Sequence, residues 1–334
     1  MVIEYADYLA EKGHEVVLWY NTFKTVFKPH PKLKLIQIPI PSKLGTIIYV
    51  TLKRFNSDVI IVDIIALASL LSFRNRSRLI FFAQGYDESY YKNPFKKLLV
   101  KILYSFALKL MKVKTISVSN QLSQMLKEQY DTDVTTVENG IDSESFYPDP
   151  DEELIRIKGH RKAILVLSRN DYMKGLDIAI KVLNALTEDL KNNIVIWICG
   201  EEIKQEILKS KIINFGWIGK DKLRKIISSA DVLFYPTRHE GFGLFPLEAM
   251  ACGCPVVTTK AVSYVKDGEN ALVGRLENEN NLKEKLERIL SDRQLRDKLR
   301  NDGLNIVKEY DLNESKKKFE KAIREIIFSN SELK

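Results

Sequence analysis

Short apolar segments rich in β-branched residues alternate with amphipathic helical segments along the whole 334-residue chain. This alternation is typical of α/β units, in which parallel strands are buried on both faces by the helices that connect them. A chain of this length is expected to form about two such domains. The predicted strands cover residues 15–19, 33–38, 58–62, 78–83, 115–118, 134–137, 163–167, 194–199, 212–214, 232–235 and 255–258.

A stiff, polar segment separates the two halves of this pattern. Pro148-Asp149-Pro150-Asp151 cannot continue a helix, because proline lacks the backbone N–H and restricts the residue before it. The sequence therefore predicts an N-terminal domain over residues 1–148 and a second domain over 149–308. A charged helical segment, 309–334, is predicted to follow them.

Composition narrows the protein class. Three cysteines cannot form a disulfide framework, and Cys252-x-Cys254 has no partner pair for a metal, so buried free thiols are expected. No apolar run reaches the ~18–20 residues of a membrane span, and no signal-peptide pattern opens the chain, so a cytoplasmic protein is predicted. The net charge of +8 favours anionic partners such as nucleoside diphosphates, anionic lipid or nucleic acid, and it does not choose among them.

The segment 238–257 carries the strongest local signal for a ligand site. Gly241 and Gly243 permit close approach of the backbone to a ligand, and Pro246 suits the first turn of a helix. The N–H groups of Gly243, Leu244 and Phe245 are expected to point out of this helix start. Such a site favours a phosphate or a sugar hydroxyl.

Two glutamates flank this helix start. Glu240 precedes the turn and Glu248 lies within the helix, so they can reach opposite ends of one ligand. The pattern resembles the Glu-x7-Glu signature of retaining glycosyltransferases with the GT-B fold, the family-4 group. The resemblance implies that Glu248 binds the ribose of a nucleotide-sugar and that Glu240 faces the transferred sugar. It also implies donor contacts from Gly241, Phe242, Gly243, Leu244 and Phe245. A buried strand–helix–strand unit with solvated acids is the alternative.

Two cations are predicted at the start of the second domain. The strand over 163–167 delivers Arg169 to its carboxyl end, and Lys174-Gly175 opens the next helix. Two cations there could neutralise a diphosphate through charge-assisted hydrogen bonds. The segment is similar to the Gly-Arg…Lys-Gly motif of the same family, with Ser168 in place of the first glycine. A surface arginine and a helix-capping lysine are the alternative.

Two further positions are assigned to the donor by resemblance. Gly200 follows a strand as in the family's turn beside the donor base, and Trp217 lies in a segment like the one whose backbone contacts the base. Trp217 could equally belong to the core. No dinucleotide or Walker A fingerprint is present, and no carboxylate cluster suits a metal ion. The prediction is a nucleotide-diphosphate-sugar donor with neither metal nor cofactor, and no covalent nucleophile.

Candidates for acceptor contacts lie in the first domain. Gln84, Tyr86 and Asp87 follow the strand over 78–83, and Ser119 follows the strand over 115–118. Many relatives carry a histidine near the position of Gln84. A plain strand-end turn is the alternative for Tyr86 and Asp87, and a helix cap is the alternative for Ser119.

The resemblance implies a complete architecture. It consists of two Rossmann-like domains that face a cleft, with the C-terminal helix returning to the first domain. Asn139-Gly140-Ile141-Asp142 looks like the family's segment that ends the first domain. The family has a strand and a glycine-rich loop before the first helix, whereas this sequence opens directly on a helical pattern. The first domain is therefore expected to lack its first strand, either because the true chain begins upstream or because the cleft is incomplete.

The implied function is transfer of a sugar from a nucleotide-sugar to a glycan, lipid-linked or small-molecule acceptor, with retention of anomeric configuration. A nucleotide-sugar 2-epimerase and an inactive donor-binding remnant are the alternatives. Nucleic acid is not an expected partner.

The segment 94–111 allows two interpretations. Its apolar stripe comprises Phe95, Leu98, Leu99, Ile102, Leu103, Phe106 and Leu110, and lysines surround it at positions 92, 96, 97, 101, 109, 112 and 114. A helix of this kind can lie on an anionic membrane surface. It can equally pack its stripe on the domain core with its lysines in solvent.

Overall fold

Parallel strands and connecting helices build two units in the computed structural model, which describes residues 1–22, 29–40 and 42–331. The first unit comprises Met1–Asn139 with Asn313–Lys334, and the second comprises Gly140–Leu312. In the first unit the chain runs through α1 (Val2–Glu11), β1 (Val17–Tyr20), β2 (Lys34–Gln37), α2 (Lys43–Leu52), β3 (Ile60–Val62), α3 (Ile65–Asn75), β4 (Leu79–Ala83), α4 (Pro94–Tyr104), β5 (Lys114–Ser117), α5 (Asn120–Tyr130) and β6 (Val134–Thr136). A π-helical segment, Ser105–Leu110, extends α4.

The second unit holds the larger sheet. Its elements are α6 (Glu152–Lys158), β7 (Lys162–Ser168), α7 (Leu176–Asn184), α8 (Glu188–Asn192), β8 (Ile194–Gly200), β9 (Lys211–Gly216), α9 (Lys220–Ser229), β10 (Val232–Tyr235), α10 (Leu244–Ala251), β11 (Val256–Thr259), β12 (Leu272–Gly274), α11 (Glu279–Ser291) and α12 (Arg293–Val307). The last described element is α13 (Leu312–Ser331).

All strand pairs in the described sheets are parallel, as the alternating pattern predicts. The second unit has six strands in the order β12-β11-β10-β7-β8-β9. Strands β7, β8 and β10 are buried almost throughout, because helices cover both faces of the sheet. Each predicted strand overlaps an observed one, while the short edge strand β12 was not predicted.

The first unit contains two separate sheets. Strands β1 and β2 form a pair, and β3-β4-β5-β6 form a four-stranded sheet. The described part of the chain shows no strand before α1, and none of its hydrogen-bonded ladders joins the two sheets. Among the described helices, none has both the length and the apolar character that crossing a membrane requires.

The units meet in sequence earlier than the predicted boundary at 148. Backbone bonds tie the Asn-Gly-Ile segment to the end of the second unit: Ile141 N donates to Tyr310 O at 2.8 Å, and Leu312 N donates to Ile141 O at 3.1 Å. A Cβ at Gly140 would lie 2.4 Å from Asp311 O, so only glycine permits this approach. Proline marks where a helix cannot continue, but long-range pairing decides which unit a segment joins.

The C-terminal helix α13 begins at Leu312 rather than at 309 and contacts the first unit. Phe319 stacks on Tyr5 with ring centroids 4.3 Å apart, and the Tyr5 and Ser315 hydroxyls lie 2.7 Å apart. Both Tyr5 and Phe319 are buried. The two ends of the chain therefore share one core.

Candidate active site

The predicted donor residues cluster at the carboxyl ends of the central strands of the second unit. Ser168 ends β7, Gly200 ends the adjacent β8, and Tyr235 ends β10 on the other side of β7. This edge is where open parallel sheets bind ligands. Gly200 has φ +106°, and a Cβ there would lie 2.1 Å from Ser168 O. Gly200 is thus needed for close packing of two strand ends, and its contact with a donor stays a prediction.

Glu240 is fixed by two donors that converge on one carboxylate oxygen. Its Oε1 accepts from Lys174 Nζ at 2.9 Å and from the Tyr235 hydroxyl at 2.6 Å, and Thr237 Oγ1 lies 3.1 Å from the same oxygen. The Lys174 and Glu240 side chains are only 13% and 10% exposed. Burial, together with the Glu240 charge, raises the pKa of Tyr235, which keeps it a donor. Since these contacts use Oε1, Oε2 is the oxygen to which the predicted ligand contact is assigned, and that contact stays a prediction.

Backbone bonds fasten the turn that carries Lys174 to the loop that carries Glu240. The carbonyl oxygen of Met173 accepts from Thr237 Oγ1 at 2.8 Å and from Arg238 N at 2.7 Å. The cation and the carboxylate are therefore held in place by their neighbours and not only by each other. Such support is what a preorganised charge pair requires.

Gly175 permits this close approach. It has φ +69°, and a Cβ there would lie 2.0 Å from the carbonyl oxygen of Pro236. Any side chain would push the two loops apart. The glycine of the predicted Lys-Gly pair therefore positions the lysine, and does so through the backbone.

Arg238 was not predicted as a site residue, yet its side chain connects the two loops through hydrogen bonds. Its guanidinium donates to both carboxylate oxygens of Asp177 at 2.7 Å, to Glu277 at 2.8 Å and to the Tyr172 carbonyl oxygen at 2.8 Å. It also lies 3.8 Å from the Tyr172 ring centroid. Arg238 stands next to the glutamate motif in sequence, but its partners are distant and local patterns cannot reveal them.

Arg169 and Trp217 form a second pair of residues at this edge, and both are exposed. The Arg169 guanidinium carbon lies 5.8 Å from the Trp217 ring centroid, within cation–π range. Trp217 is 67% exposed, so the alternative that it belongs to the core is wrong. The structure thus brings Arg169 to Trp217 and Lys174 to Glu240, in two pairs.

Helix α10 begins as the glycine pattern predicts. Gly243 caps it with φ +102°, and a Cβ there would lie 2.8 Å from a methyl group of Val262. Pro246 occupies the first turn. The first N–H groups of a helix, here from Leu244 onward, have no acceptor within the helix. They offer partial positive charge to an anion.

The Phe242 side chain is buried inside the second unit. It is only 2% exposed and packs against Tyr264 and Tyr310, with ring centroids 5.1 and 5.4 Å away. Only its backbone remains available for the predicted donor contact. Gly241 is buried as well, whereas Phe245 is half-buried, with its ring centroid 5.9 Å from that of Tyr235.

Glu248 lies half-buried on α10, four residues into the helix from Leu244. Burial raises its pKa to about 7, and the positive charge of Lys220 opposes this rise. A carboxyl group that titrates near neutral pH is characteristic of binding and catalytic sites.

The predicted acceptor residues Tyr86 and Asp87 take part in internal hydrogen bonds. The Tyr86 hydroxyl lies 2.6 Å from that of Tyr130, and Tyr86 is buried. The Asp87 carboxylate accepts from the Tyr104 hydroxyl at 2.8 Å, and burial raises the pKa of Asp87. These contacts favour the strand-end alternative for both residues.

Gln84 and Ser119 differ in their accessibility. Gln84 Nε2 donates to Asp63 Oδ2 at 3.2 Å, and both residues follow adjacent parallel strands. Ser119 is buried and caps α5 by accepting from Leu122 N at 3.2 Å. The cap alternative therefore describes Ser119, while Gln84 remains a predicted acceptor contact. Asp63 was not predicted, although it too ends a strand.

Among the described residues, no three His, Cys, Asp or Glu side chains lie close enough together to hold a metal ion. Cys252 and Cys254 are buried free thiols, as predicted, and burial raises the pKa of each. A shallow cavity of about 420 Å³ lies elsewhere in the second unit, lined by Lys260, Asp267, Val273, Gly274, Arg275 and Leu276. None of the predicted donor residues lines it.

Comparison with known proteins supports the architecture over nearly the whole chain. The family profile described as Glycosyltransferase Family 4 matches residues 1–145, and the profile described as Glycosyl transferases group 1 matches residues 150–305. The chain belongs to the group 1 glycosyltransferases of the GT-B fold. The second profile covers the Lys174–Glu240 pair and helix α10.

Individual relatives match parts of the group 1 chain. The lipopolysaccharide glucosyltransferase WaaG of Escherichia coli is 30% identical over 115 residues, which are 32% of this chain and 30% of WaaG. The alignments to this and to two Methanocaldococcus jannaschii glycosyltransferases span 30–55% of the relatives' own lengths.

Solved structures share the fold. Sucrose-phosphate synthase of Thermosynechococcus elongatus superposes with a TM-score of 0.80 at 18% identity, covering 98% of this chain and 93% of that one. HepE of Anabaena in complex with UDP-glucose gives 0.73 at 17% identity, with 98% and 94% covered. At this identity the similarity shows the fold alone.

Proposed function

We propose that this group 1 glycosyltransferase moves a sugar from a nucleotide-diphosphate-sugar to an acceptor hydroxyl, with retention at the anomeric carbon. The observation that carries the proposal is the Lys174–Glu240 pair, held at the strand edge beside the start of α10. The family membership supports sugar transfer, and the UDP-glucose complex of the fold neighbour HepE supports a nucleotide-sugar donor.

The charges of the site suit the bond that must break. As the bond from the anomeric carbon to the diphosphate lengthens, negative charge grows on the phosphate and positive charge on the carbon. Lys174, Arg169 and the first N–H groups of α10 would stabilise the phosphate. Glu240, through Oε2, would face the sugar. Lys174 would then stand between two anions, because Glu240 already holds it before the donor arrives.

Retention requires that the acceptor attack from the face that the phosphate leaves. In the proposed mechanism the departing phosphate oxygen takes the proton of the acceptor hydroxyl on that same face. The new bond joins the acceptor oxygen to the anomeric carbon, and the nucleoside diphosphate leaves with the proton. No side chain needs to form a covalent intermediate.

A panel of nucleotide-sugars tests the donor assignment. We expect one donor to protect the protein from thermal unfolding and to be hydrolysed slowly without an acceptor. An isomerised nucleotide-sugar as the only product would instead show an epimerase. Donor binding without any turnover, with or without acceptors, would show a binding remnant.

Removal of metal ions is expected to leave transfer unchanged. Lys174, Arg169 and the start of α10 would take the charge-stabilising role that a divalent ion would otherwise fill. The measurement is the transfer rate in excess EDTA, with added magnesium or manganese as the comparison. A rate that EDTA abolishes and either metal restores would contradict this expectation.

Nucleoside-diphosphate affinity is expected to rise as the pH increases through 7. A carboxylate accepts two hydroxyl hydrogen bonds from ribose, whereas the protonated form of Glu248, whose pKa is about 7, accepts fewer. The expected gain is about tenfold between one pH unit below and one above this pKa. Calorimetric titration across the range measures it.

The Glu248→Gln variant is the control for this titration. It removes the titrating carboxyl while the ionisation of the diphosphate itself is unchanged. The pH dependence should become shallower in this variant, and equal slopes would refute the ribose assignment. In the ligand-free protein, the contribution of Glu248 to the stability of the fold changes with pH in the opposite direction. Because the folded-state pKa lies above the usual 4.5, the Glu248 contribution to stability falls as pH rises from about 4.5 to 7.

A further inference from the structure

Three neighbouring helices of the first unit carry exposed apolar side chains, which together we call the apolar patch. Helix α3 packs against both α2 and α4. The members are Leu44, Ile48 and Leu52 on α2, Leu70 and Phe73 on α3, and Phe95, Leu98, Leu99, Ile102 and Leu110 on α4 and its π-helical extension. A large exposed apolar surface on a globular unit marks an interaction site.

Helix α4 buries the face opposite to its apolar stripe. Val100 and Tyr104 point into the core, followed by Ala107 and Leu108 of the extension. The stripe residues Phe95, Leu98, Leu99 and Ile102 are 50–72% exposed. The alternative that this stripe packs on the domain core is therefore wrong. The stripe needs a different apolar environment.

The three helices and the residues that flank them carry positive charge. Residues 42–57, 65–78 and 92–114 contain thirteen lysines and arginines and no aspartate or glutamate, and six of the thirteen lie on the helices and the π-helical extension. The whole chain has a net charge of only +8, so its excess positive charge is concentrated here. From outside these segments, Glu88 approaches Lys97 at 4.0 Å and Lys101 at 3.7 Å and offsets part of that charge.

We propose that the apolar patch docks on an anionic lipid bilayer, with α4 lying in the plane of the membrane surface. The stripe would enter the boundary between headgroups and acyl chains, and the lysines would extend to the lipid phosphates. An anionic bilayer offers apolar and negatively charged phases over one broad surface, which matches both properties of the patch. This inference does not depend on the sugar-transfer proposal.

Other kinds of binding partner match either the apolar surface or the positive charge of the patch, but not both. A nucleic acid would neutralise the lysines but leave the stripe in water. A second copy of the same patch would bring the lysines of α4 against the same lysines of its partner. An acidic protein partner would bind at low salt without any lipid, and binding to neither kind of vesicle would favour it over the membrane.

Flotation of the full chain with lipid vesicles tests the proposal. We expect binding to vesicles of phosphatidylcholine mixed with phosphatidylglycerol, weak binding to phosphatidylcholine alone, and release as salt screens the charges. Equal binding to both vesicles, or binding to neither, would overturn the proposal. So would dimerisation of the lipid-free protein through the patch.

Substitutions separate the apolar and the charged contributions. Phe95→Ser with Leu98→Ser and Ile102→Ser should abolish binding. The matched control is Ile155→Ser with Ile157→Ser and Ile207→Ser, at second-unit positions that are 42–44% exposed, and it should bind normally. Unchanged binding by the patch variant, or equal loss in the control, would reject the patch.

Charge reversal gives an independent measurement should the serine variant fail to fold. Lys96→Glu with Lys109→Glu should lower partitioning at least tenfold, since each lysine near an anionic surface contributes about 1 kcal/mol, or about fivefold. Lys204→Glu with Lys209→Glu changes the net charge equally, at exposed positions of the second unit. Equal effects of the two pairs would attribute binding to net charge and overturn the patch assignment.

Discussion

Replacing Lys174 by alanine is expected to weaken nucleoside-diphosphate binding by at least about tenfold, because each charge-assisted hydrogen bond contributes about 1.5–3 kcal/mol. Lys174 is the cation that the structure holds beside Glu240, on a turn that Met173 fastens to the neighbouring loop. Loss of the charge should also slow transfer, since the leaving diphosphate gains negative charge as the bond breaks. Calorimetry and initial rates measure the two effects.

Two further variants show whether the Lys174 effect is electrostatic. Lys174→Ala leaves the Glu240 carboxylate almost buried without its cation, which should lower the thermal stability as well. Lys174→Gln keeps a hydrogen-bond donor without the charge, so it should be more stable yet still bind weakly. Lys181→Ala removes an exposed lysine that pairs with Glu279, and it should change neither the nucleoside-diphosphate affinity nor the thermal stability. Unchanged affinity in a folded Lys174 variant would reject the diphosphate assignment.

Glu240→Gln is expected to lower turnover by about 10²–10³-fold, the usual effect of removing one preorganised electrostatic contact. Its affinity for a free nucleoside diphosphate should stay nearly the same, because Glu240 is proposed to meet only the sugar. The glutamine keeps the shape of the side chain and one oxygen that accepts from the Tyr235 hydroxyl. The measurements are the transfer rate at saturating donor and the dissociation constant of the free nucleoside diphosphate.

Glu248→Gln is the matched comparison for this division of roles. It should weaken nucleoside-diphosphate binding and lower turnover less once the donor is saturating. Thermal unfolding of both variants checks that the second unit is intact. An equal loss of nucleoside-diphosphate affinity in the two variants would show that the glutamates do not serve separate ends of the donor.

Much of the fold follows from local patterns. The apolar runs at 163–167 and 194–199 overlap β7 and β8, because a strand buried on both faces needs continuous apolar sequence. The glycine and proline pattern placed the start of α10 at Gly243, since a positive φ and a first-turn proline are both short-range requirements. The edge strand β12 was missed, because three residues carry too little pattern to identify a strand.

The sequence indicated the residues of the candidate site but not the contacts between them. The resemblance to the family motifs implied that Lys174 and Glu240 serve one ligand, but their direct contact at 2.9 Å depends on how two loops pack. That packing needs Gly175 against Pro236, a contact between residues far apart in sequence. Arg238 was not predicted for the same reason, because its partners are far from it in sequence.

The sequence by itself determined the parallel α/β units, the group 1 motifs and the periodicity of α4, because each arises from neighbours within a few turns or from strand composition. Only the tertiary structure decided which unit Ile141 joins and which face of α4 is buried. Periodicity predicts that a helix has an apolar face but not that this face meets the core. In α4 a second face, with Val100 and Tyr104, packs into the core of the first unit, so the larger apolar stripe is exposed to solvent.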